Sequence, residues 1–503
     1  MPHASADPTA GSAAGSDDDD EAGSGSGSKL VAPADATARA AWLEGKLTGA
    51  ISAHASLGKA KIGVAVWDLT AGKELFAHGG DVGLNVASNA KLLTTTAAMS
   101  KLGGGFSWRT AVYADDLDDA TGKVAGDLYV RGRGDPTLSQ SDLRGLAADV
   151  AARGVRSVAG GLVVDASYFD DVVEPPHFTD QPNERAGYRA PVASLSVAHG
   201  AVTVVVTPDP GGAAKVTLEP DAGDYVKIAK AEVKTIATGR TKIKVDAKAK
   251  PNRLEIEVTG QIRPADGSYD TRKRVDDPAR FAAETLRRAL AERGVKIAKR
   301  EIAVRAVPPA AKLIAAHDSA PLALAVREMN KQSDNNVAET VLKTLGAETR
   351  TAPGAGTWAD GVAALHAYLA TIGMPDGGYR AENGSGLYGA SEVSARQLVQ
   401  VLKAANADFR IGPDVLASLP VGGVDGTLAK RWAGHAAKGR VRAKTGTLDK
   451  VTSLAGYIAV SASHVIAFAI IVNDIPSGQR PASRAIADDI VDALVAYLEA
   501  ERH

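Results

Sequence analysis

Two hydrophobic patterns alternate along the chain. In four segments apolar residues recur every three or four positions, which is the spacing of a helix with one buried face. Shorter runs rich in valine and isoleucine are typical of strands. The predicted helices are 36–53, 88–102, 141–153 and 278–293. The predicted strands lie in 61–78, 161–165, 201–206, from 216 onwards, 242–245, 254–258 and 441–460. Helices and strands are mixed along the chain, so an α/β or α+β fold is predicted.

Residues 1–30 have a different composition from the rest of the chain. They contain an acidic run from Asp17 to Glu21 and end in Gly/Ser repeats, a composition that predicts disorder. They show no charged region followed by an apolar region, so no signal peptide is visible in the sequence. No later segment has 18 or more uninterrupted apolar residues, and no transmembrane helix is predicted.

Composition excludes several classes of function. The chain has 58 Lys and Arg residues against 59 Asp and Glu residues, a net charge of −1, so neither nucleic acid nor an electrostatic membrane patch is expected as a partner. It has no cysteine, which excludes disulfides, thiol catalysis and cysteine zinc sites. Its ten histidines form no metal-binding pattern such as H-E-x-x-H. We therefore predict neither a metal nor another cofactor.

Three short motifs carry the candidate chemistry. They are Ser88-Asn89-Ala90-Lys91, Ser333-Asp334-Asn335 and Lys444-Thr445-Gly446, in that order. Each is weak alone, because S-x-x-K also occurs at Ser26 and Ser56, a Ser-Asp-Asn is usually a helix cap, and a Lys-Thr-Gly is usually a strand edge or turn. Only the S-x-x-K at Ser88 opens a predicted helix. In a helix, positions i and i+3 share a face, so the side chains of Ser88 and Lys91 would lie together.

That spacing suits nucleophilic catalysis by a serine. A serine hydroxyl is a poor nucleophile unless a neighbouring base takes its proton. Lys91 can do so if its amine is partly neutral, and burial together with a nearby positive charge, that of Lys444, favours the neutral amine. Two lysines in the motif set are therefore consistent with a Ser88 nucleophile.

The motif set and its flanking sequences resemble one family. The order of motifs and the long interval between the first and second are similar to those of the class C low-molecular-weight penicillin-binding proteins, the D-alanyl-D-alanine carboxypeptidase/endopeptidase family of the penicillin-binding protein 4 type. The flanking stretches that carry the resemblance are Gly126–Thr137, Val164–Phe169, Tyr188–Pro191, Ser319–Leu322 and Gly423–Leu428.

The resemblance implies an architecture. Residues 31–108 and 312–503 would form one β-lactamase/DD-transpeptidase-like domain, an antiparallel sheet flanked by helices. Residues 109–311 would be a large inserted mixed α/β module of one or two lobes, whose expected role is to shape or shelter the cleft. Such an insertion accounts for the long interval between Ser88 and Ser333, for which a minimal serine β-lactamase has no room.

It also implies roles for the motif residues. Ser88 would be the nucleophile, Lys91 its base and Ser333 the relay of a proton to the leaving amine. Asn335 would hold the substrate amide and orient Lys91, and Lys444 would lie near the substrate carboxylate.

The third motif and its surroundings would bind substrate. The hydroxyls of Thr445 and Thr447 would meet the terminal carboxylate, and Gly446 would keep the strand bare for substrate to lie along it. The N–H groups of Ser88 and Thr447 would form an oxyanion hole. Asp165 would be a substrate-side contact, with a turn cap as the structural alternative.

The implied function is that of a serine D-alanyl-D-alanine carboxypeptidase/endopeptidase, inhibited by penicillin. Its partners would be peptidoglycan stem peptides and β-lactams, and its place periplasmic or otherwise extracytoplasmic. The alternatives are a β-lactamase or related serine esterase and a non-catalytic peptidoglycan-binding scaffold.

The family usually shows D-G-S-G-L-S-R after its second motif, but this chain has N-G-S-G-L-Y-G at 383–389. The arginine, which in relatives helps to read a diaminopimelate side chain, is absent.

Overall fold

A computed structural model describes residues 30–180 and 184–501 of the chain. The predicted disordered leader, residues 1–30, lies outside the described residues except for Leu30. The described residues divide into two compact units. We call 30–107, Pro175–Asp180 and 320–501 the motif unit, because it contains all three motifs, and Trp108–Glu174 with 184–319 the insert unit.

The helices of the described residues follow one another along the chain with these bounds: α1 Ala36–Ser52, α2 Ala90–Leu102, α3 Gln140–Ala152, α4 Pro278–Glu292, α5 Leu322–Gln332, α6 Asn335–Thr349, α7 Trp358–Thr371, α8 Ala395–Ala407, α9 Gly412–Ser418 and α10 Arg480–Ala500. The four helices predicted from hydrophobic spacing are confirmed, with ends within about two residues of the prediction. Capping explains two of the starts, since the side chain of Asp35 accepts from Ala38 N and that of Asp277 from Arg280 N.

The strands have these bounds: β1 Lys61–Asp68, β2 Lys73–His78, β3 Leu84–Asn85, β4 Arg109–Ala114, β5 Leu117–Asp118, β6 Lys123–Val124, β7 Leu128–Arg131, β8 Ser157–Val158, β9 Leu162–Asp165, β10 Ala201–Thr207, β11 Lys215–Glu219, β12 Val226–Thr235, β13 Lys242–Lys250, β14 Arg253–Ile262, β15 Tyr269–Arg274, β16 Lys296–Ile297, β17 Ile302–Val304, β18 Lys312–Asp318, β19 Arg380–Ala381, β20 Ser391–Val393, β21 Val441–Leu448, β22 Val451–Ser461 and β23 His464–Asn473.

The motif unit is built on an antiparallel five-stranded sheet. Its strand order is β2-β1-β23-β22-β21, so the K-T-G strand β21 lies at an edge. Alternate side chains of the central strands pack against α1 and α10 in one core cluster; its members include Leu47, Val66, Leu454, Phe468 and Ile490. On the other face Tyr457 donates its hydroxyl to Leu402 O of α8 at 2.8 Å. Helices therefore cover both faces of the sheet.

Helix α2 is the central helix of the motif unit. It contacts α5, α6, α7 and α8, and every residue from Ala90 to Met99 is buried. A helix buried on all sides is held by packing and not by an amphipathic face, and this fixes its first turn in space.

The insert unit contains four sheets. The strand orders are β17-β9-β7-β4-β18, β16-β8-β6-β5, β11-β10-β15 and β12-β14-β13. Pairs β7–β9 and β9–β17 are parallel, whereas β4 is antiparallel to β7 and β18. One core joins valines and leucines of these sheets to α3 and α4. The mixed α/β fold class predicted from the sequence is confirmed.

The division of the chain differs from the prediction at two places. Residues 312–318, assigned in the prediction to the catalytic domain, form β18 and pair with β4 of the insert unit. Conversely, Pro175–Asp180 belongs to the motif unit although it lies within the predicted insertion. Strand pairing between positions about 200 residues apart decides the first boundary, and no local pattern near residue 312 marks it.

Candidate active site

Ser88 lies on a tight turn that enters α2. The turn, Ala87–Asn89, is a single 3₁₀ turn, and Ala87 has a φ of 46°. Asn89 donates to Ser453 Oγ at 2.7 Å, and Ser453 Oγ in turn donates to Val86 O at 2.7 Å. Both sides of Ser88 are thus anchored to β22, so its position is set by the sheet as well as by the helix.

The Nζ atom of Lys91 has three neighbours within hydrogen-bond distance. They are Asn335 Oδ1 at 2.6 Å, Ser88 Oγ at 3.0 Å and Ser385 O at 3.0 Å. The two carbonyl oxygens can only accept, whereas the Ser88 hydroxyl can also donate. A neutral amine has two N–H donors and one lone pair, and this arrangement directs the lone pair towards the Ser88 proton.

Burial lowers the pKa of Lys91 to about 7, although the charges of Glu339 and Asp334 act in the opposite direction. The lysine has no exposed surface, and removal from water disfavours the charged ammonium. An amine with a pKa near neutrality is available as a base at physiological pH. Lys91 is therefore able, by geometry and by charge, to accept the proton of Ser88.

Ser333 and Asn335 lie at a junction between two helices. Ser333 ends α5 in the left-handed conformation, with a φ of 58°, and Asp334 caps α6 by accepting from Val337 N at 3.0 Å. The cap interpretation of this motif thus applies to Asp334. The sharp turn places Ser333 beside Lys444 and Asn335 beside Lys91, so one motif contacts both lysines.

Lys444 is the second buried lysine. Its Nζ donates to Ser333 Oγ at 2.9 Å and to Thr445 O at 2.7 Å, and its side chain has no exposed surface. Burial, together with the charge of Lys91, holds its pKa well below the usual range for lysine. Lys444 and Ser333 thus form a second polar pair, and the second motif contacts both lysines, Lys444 through Ser333 and Lys91 through Asn335.

Gly446 allows a close approach of two elements. A Cβ atom at this position would lie 2.7 Å from Val86 O and 2.3 Å from Ser453 Oγ. The bare side of Gly446 thus faces the turn that carries Ser88, inside the motif unit, and glycine allows β21 to approach that turn. A substrate lying along the strand at Gly446 stays a prediction.

The outer edge of β21 presents the N–H group of Thr447. Ala443 donates its N–H to Pro420 O at 3.0 Å, away from the neighbouring strand β22. Peptide groups two positions apart in a strand point the same way, so the N–H groups of Thr445 and Thr447 are directed to the same side. That orientation is the one an oxyanion-hole donor at Thr447 requires.

Two hydroxyls meet beside the K-T-G motif. Thr445 Oγ1 lies 2.8 Å from Oγ1 of Thr427, which belongs to the 3₁₀ turn Gly426–Leu428. Asp425, just before that turn, accepts both from Lys331 Nζ and from Val421 N. The stretch Gly423–Leu428 carries part of the family resemblance, but no role for Thr427 is predicted from the sequence.

Two further residues around Lys91 are not indicated by the sequence motifs. Ser385 supplies a backbone carbonyl to Lys91, and the carboxylate of Glu339 accepts from Ser385 N at 2.9 Å. A backbone contact leaves no side-chain signature in a sequence. Glu339 lies four positions after Asn335 and shares its helix face, the one signal that could have singled it out.

Asp165 lies in the insert unit and is fully buried at the end of β9. Its Oδ1 accepts from the N–H and hydroxyl of Ser167, and its Oδ2 accepts from Arg131 Nε and Val307 N. The bonds to Ser167 are those of a turn cap. A substrate contact by Asp165 stays a prediction.

Among the residues that the structure describes, no group of three or more His, Cys, Asp or Glu side chains could hold a metal ion. The polar groups that surround Ser88 and the two buried lysines are hydroxyl, amide and backbone groups.

Comparison with known proteins agrees with the geometry. The model of the D-Ala-D-Ala carboxypeptidase 3 (S13) family matches residues 43–497. The chain is 38% identical over 454 residues to a D-alanyl-D-alanine carboxypeptidase of Actinomadura sp. (strain R39), covering 86% of this chain and 81% of that protein. It is 25% identical over 428 residues to the D-alanyl-D-alanine carboxypeptidase DacB of Haemophilus influenzae, covering 80% and 83%.

A solved structure shares the fold. The crystal structure of penicillin-binding protein 4 (dacB) from Haemophilus influenzae superposes with a TM-score of 0.70 at 21% sequence identity, covering 87% of this chain and 98% of that one. The resemblance predicted from the motifs and their flanks is thereby confirmed. The extent of the family match and the identity to the Actinomadura enzyme establish that this chain belongs to the D-Ala-D-Ala carboxypeptidase 3 (S13) family.

Proposed function

We propose that this chain is a penicillin-sensitive serine D-alanyl-D-alanine carboxypeptidase/endopeptidase, which cleaves peptidoglycan stem peptides through an acyl-enzyme on Ser88. The observation that carries the proposal is the 3.0 Å contact between Ser88 Oγ and the buried amine of Lys91. A hydroxyl paired with a near-neutral amine is an activated nucleophile. The relatives named D-alanyl-D-alanine carboxypeptidase give the substrate class.

Acylation would begin at the carbonyl carbon of the penultimate D-alanine. Ser88 Oγ bonds to that carbon while its proton passes to Lys91 Nζ. The carbonyl oxygen becomes an oxyanion, held by the N–H groups of Ser88 and Thr447. Such preorganised donors lower the barrier by about 3 kcal/mol each in comparable enzymes.

The acyl-enzyme forms when the bond to the terminal D-alanine nitrogen breaks. That nitrogen must gain a proton, and Ser333, hydrogen-bonded to Lys444 Nζ, is the group we assign to deliver it. Ser333 is then reprotonated by the proton that Lys91 took from Ser88, so Lys91 is neutral again and the charge balances over the step. Water then attacks the ester carbon, gives its proton to Lys91, and Ser88 regains a proton as the shortened peptide leaves.

A β-lactam would acylate Ser88 in the same way, but the acyl-enzyme would not be hydrolysed. Attack on its strained amide opens the ring, but the leaving nitrogen stays tethered to the acyl group and blocks the approach of water. A penicillin-binding protein 4 from Haemophilus influenzae has been solved in complex with a β-lactam, with a TM-score of 0.67 to this chain at 22% identity and coverage of 88% of this chain and 98% of that one.

The test is intact mass after incubation with penicillin, alongside D-alanine release from a peptide ending in D-Ala-D-Ala. We expect one penicillin adduct on the wild type and none on Ser88→Ala. Ser56→Ala is the matched control, because Ser56 opens another S-x-x-K sequence but is exposed. An adduct that survives in Ser88→Ala, or peptide hydrolysis that survives there, would contradict the proposal.

The same experiment separates the two alternatives. Penicillin that is consumed without a stable adduct would favour a β-lactamase or related esterase. Penicillin that is neither bound nor consumed, with no D-alanine release, would favour a non-catalytic peptidoglycan-binding scaffold. Two fully buried lysines are costly to maintain without chemistry to perform, which favours the enzyme.

The proposed substrate sets the place of action outside the cytoplasm, in the periplasm or its equivalent, where peptidoglycan peptides are exposed. In residues 30–180 and 184–501, no helix is both long enough and apolar enough to cross a membrane. Cell fractionation with an antibody to the chain tests the location, and recovery in the cytoplasmic fraction alone would contradict it.

A further inference from the structure

A buried carboxylate lies behind the candidate base. Glu339 is on α6, one turn after Asn335, and its side chain is 2% exposed. Its Oε1 accepts from Ser385 N at 2.9 Å, and its Oε2 accepts from Gly384 N at 3.0 Å and from Trp358 Nε1 at 3.2 Å. Buried carboxylates are costly unless they are satisfied in this way, so the arrangement has a structural or functional purpose.

The two loop N–H groups belong to a segment wedged between two helices. We call 383–386 the base loop. A Cβ at Gly384 would lie 2.5 Å from Ala338 O of α6, and one at Gly386 would lie 2.0 Å from Ala87 O, next to the nucleophile. Both glycines are therefore required for the loop to fit between the helix that carries Asn335 and the turn that carries Ser88.

The base loop carries the carbonyl that contacts Lys91. Ser385 O accepts from Lys91 Nζ at 3.0 Å, and Thr94 Oγ1 donates to Gly384 O at 2.8 Å. Glu339 holds the two preceding N–H groups of the same loop. The orientation of the Ser385 carbonyl is thus set by the carboxylate of Glu339 from one side and by α2 from the other.

We propose that Glu339 is a positioning residue for the acylation step: by clamping the base loop it holds the Ser385 carbonyl on one N–H of Lys91 and so keeps the amine lone pair on Ser88. Without the hydrogen bonds from the base loop to Glu339, Lys91 would keep Asn335 Oδ1 as an acceptor, but the Ser385 carbonyl would no longer be held in place as its second acceptor. Its lone pair would then sample several directions, and productive alignment with the Ser88 proton would become rarer.

Glu339 also acts through charge. The charged groups that act on Lys91 are Glu339 and Asp334 from α6 and its N-terminus and Lys444 from β21, while the base loop contributes only its dipole. A negative charge stabilises the ammonium form, so Glu339 raises the pKa of Lys91 against the effect of burial. Removing the charge would lower that pKa further and make the amine a weaker base.

The experiment measures the rate constant of penicillin acylation against pH for wild type, Glu339→Gln and Glu339→Asp. Glutamine keeps the length but loses the charge, and its NH₂ group faces one of the two N–H donors. We expect the maximal acylation rate of Glu339→Gln to fall on the order of 10²-fold, and the acidic limb of its pH–rate profile, where the rate rises with pH, to move to lower pH. Aspartate keeps the charge but is one methylene shorter. For Glu339→Asp we therefore expect a lower rate, with the acidic limb close to that of wild type.

Trp358→Phe is the matched control, because it removes the third donor to Glu339 and leaves the base loop bonds in place. We expect its acidic limb to match wild type even if its melting temperature falls, since a loss of packing alone does not move that limb. A wild-type rate and limb in folded Glu339→Gln would overturn the proposal. If that variant does not fold, a wild-type rate in Glu339→Asp would do so.

This inference rests on the proposed function, and the two fail differently. Absence of acylation in the wild-type protein would refute the Ser88 acyl-enzyme. Normal acylation in the wild type with unchanged behaviour in the Glu339 variants would refute only the positioning role.

Discussion

The Nζ atom of Lys91 lies 2.6 Å from Oδ1 of Asn335, although the two residues are 244 positions apart in the chain. This contact brings the first and second motifs into one site and uses one of the two N–H groups of a neutral amine. The long interval between the motifs is occupied mainly by the insert unit. The base Lys91 is therefore oriented by a residue of the second motif, a contact that only the tertiary structure brings about.

Replacing Lys91 by arginine tests whether that amine is a base or only a positive charge. Arginine keeps a cation at the site but does not give up its proton near neutral pH. We expect Lys91→Arg to lower the acylation rate by about 10²- to 10⁴-fold, the contribution of a general base. Lys101→Arg, at the exposed end of the same helix, is the control and should react at the wild-type rate. Near-normal acylation in Lys91→Arg would rule out proton transfer to Lys91.

The pH dependence follows from the lowered pKa of Lys91. Since Lys91 acts in its neutral form and burial lowers its pKa to about 7, acylation should rise with pH on the acidic side and level off above that value. On the acidic side a single deprotonation gives about a tenfold change per pH unit. Stopped-flow measurement of β-lactam acylation between pH 5 and 9 checks this. A rate that is constant from pH 5 to 8 would exclude titration of this amine.

Gly446→Ala should damage the site without touching a polar group. The added Cβ would lie 2.7 Å from Val86 O and 2.3 Å from Ser453 Oγ, so β21 and the Ser88 turn must move apart. A displacement of about 1 Å at a reacting group costs on the order of 10²-fold in rate. Acylation rate and thermal melting should be measured together with Gly434→Ala, where nothing lies within 4 Å of the new atom. Equal acylation rates in the two variants would contradict this account.

The motif residues were accessible from the sequence because each carries its function in a side chain at a recognisable spacing. The structure joins Ser88 and Asn335 through hydrogen bonds to Lys91 Nζ, and it joins Ser333 to Lys444 through another. The close approach of Gly446 to the Ser88 turn was not accessible, since it depends on which face of β21 meets that turn. The contribution of Ser385 is a backbone carbonyl, which any residue could supply. Strand β18 was misassigned because its partner β4 is remote in the chain.

Asp165→Asn separates a structural role from a substrate contact. Burial raises the pKa of Asp165, but the hydrogen bonds from Ser167, Val307 and Arg131 outweigh it and hold the pKa below its usual value. The carboxylate therefore stabilises the insert unit fully above a pH of about 3.9, and this contribution is lost as the pH falls through the lower native pKa.

We expect Asp165→Asn to lower the free energy of unfolding by roughly 3 kcal/mol at pH 7, because Arg131 loses a buried partner. Penicillin acylation of the folded variant should stay at the wild-type rate. Denaturant unfolding and acylation are measured in parallel with Asp119→Asn, an exposed carboxylate in the same unit that should change stability by less than about 0.5 kcal/mol. Unchanged stability with a raised KM for peptide would instead support the predicted substrate contact.

The pair Thr427 and Thr445 makes a prediction about substrate binding. Their Oγ1 atoms are 2.8 Å apart. If Thr427 donates to Thr445, the hydroxyl proton of Thr445 remains free to donate to a substrate carboxylate, and its direction is set. Thr427→Val removes the donor but keeps the shape of the side chain, whereas Thr427→Ser keeps the hydroxyl.

The pair is exposed, so water compensates part of the loss and the effect should be moderate. We expect Thr427→Val to raise the KM for a D-Ala-D-Ala peptide about three- to tenfold, the value of roughly one hydrogen bond, with kcat within about twofold of wild type. Thr427→Ser should behave as wild type. Because the carboxylate is bound equally in the ground and transition states, the loss belongs in KM. A fall in kcat at constant KM would show instead that Thr427 acts on the reacting groups, and would move it from carboxylate binding to the acylation step.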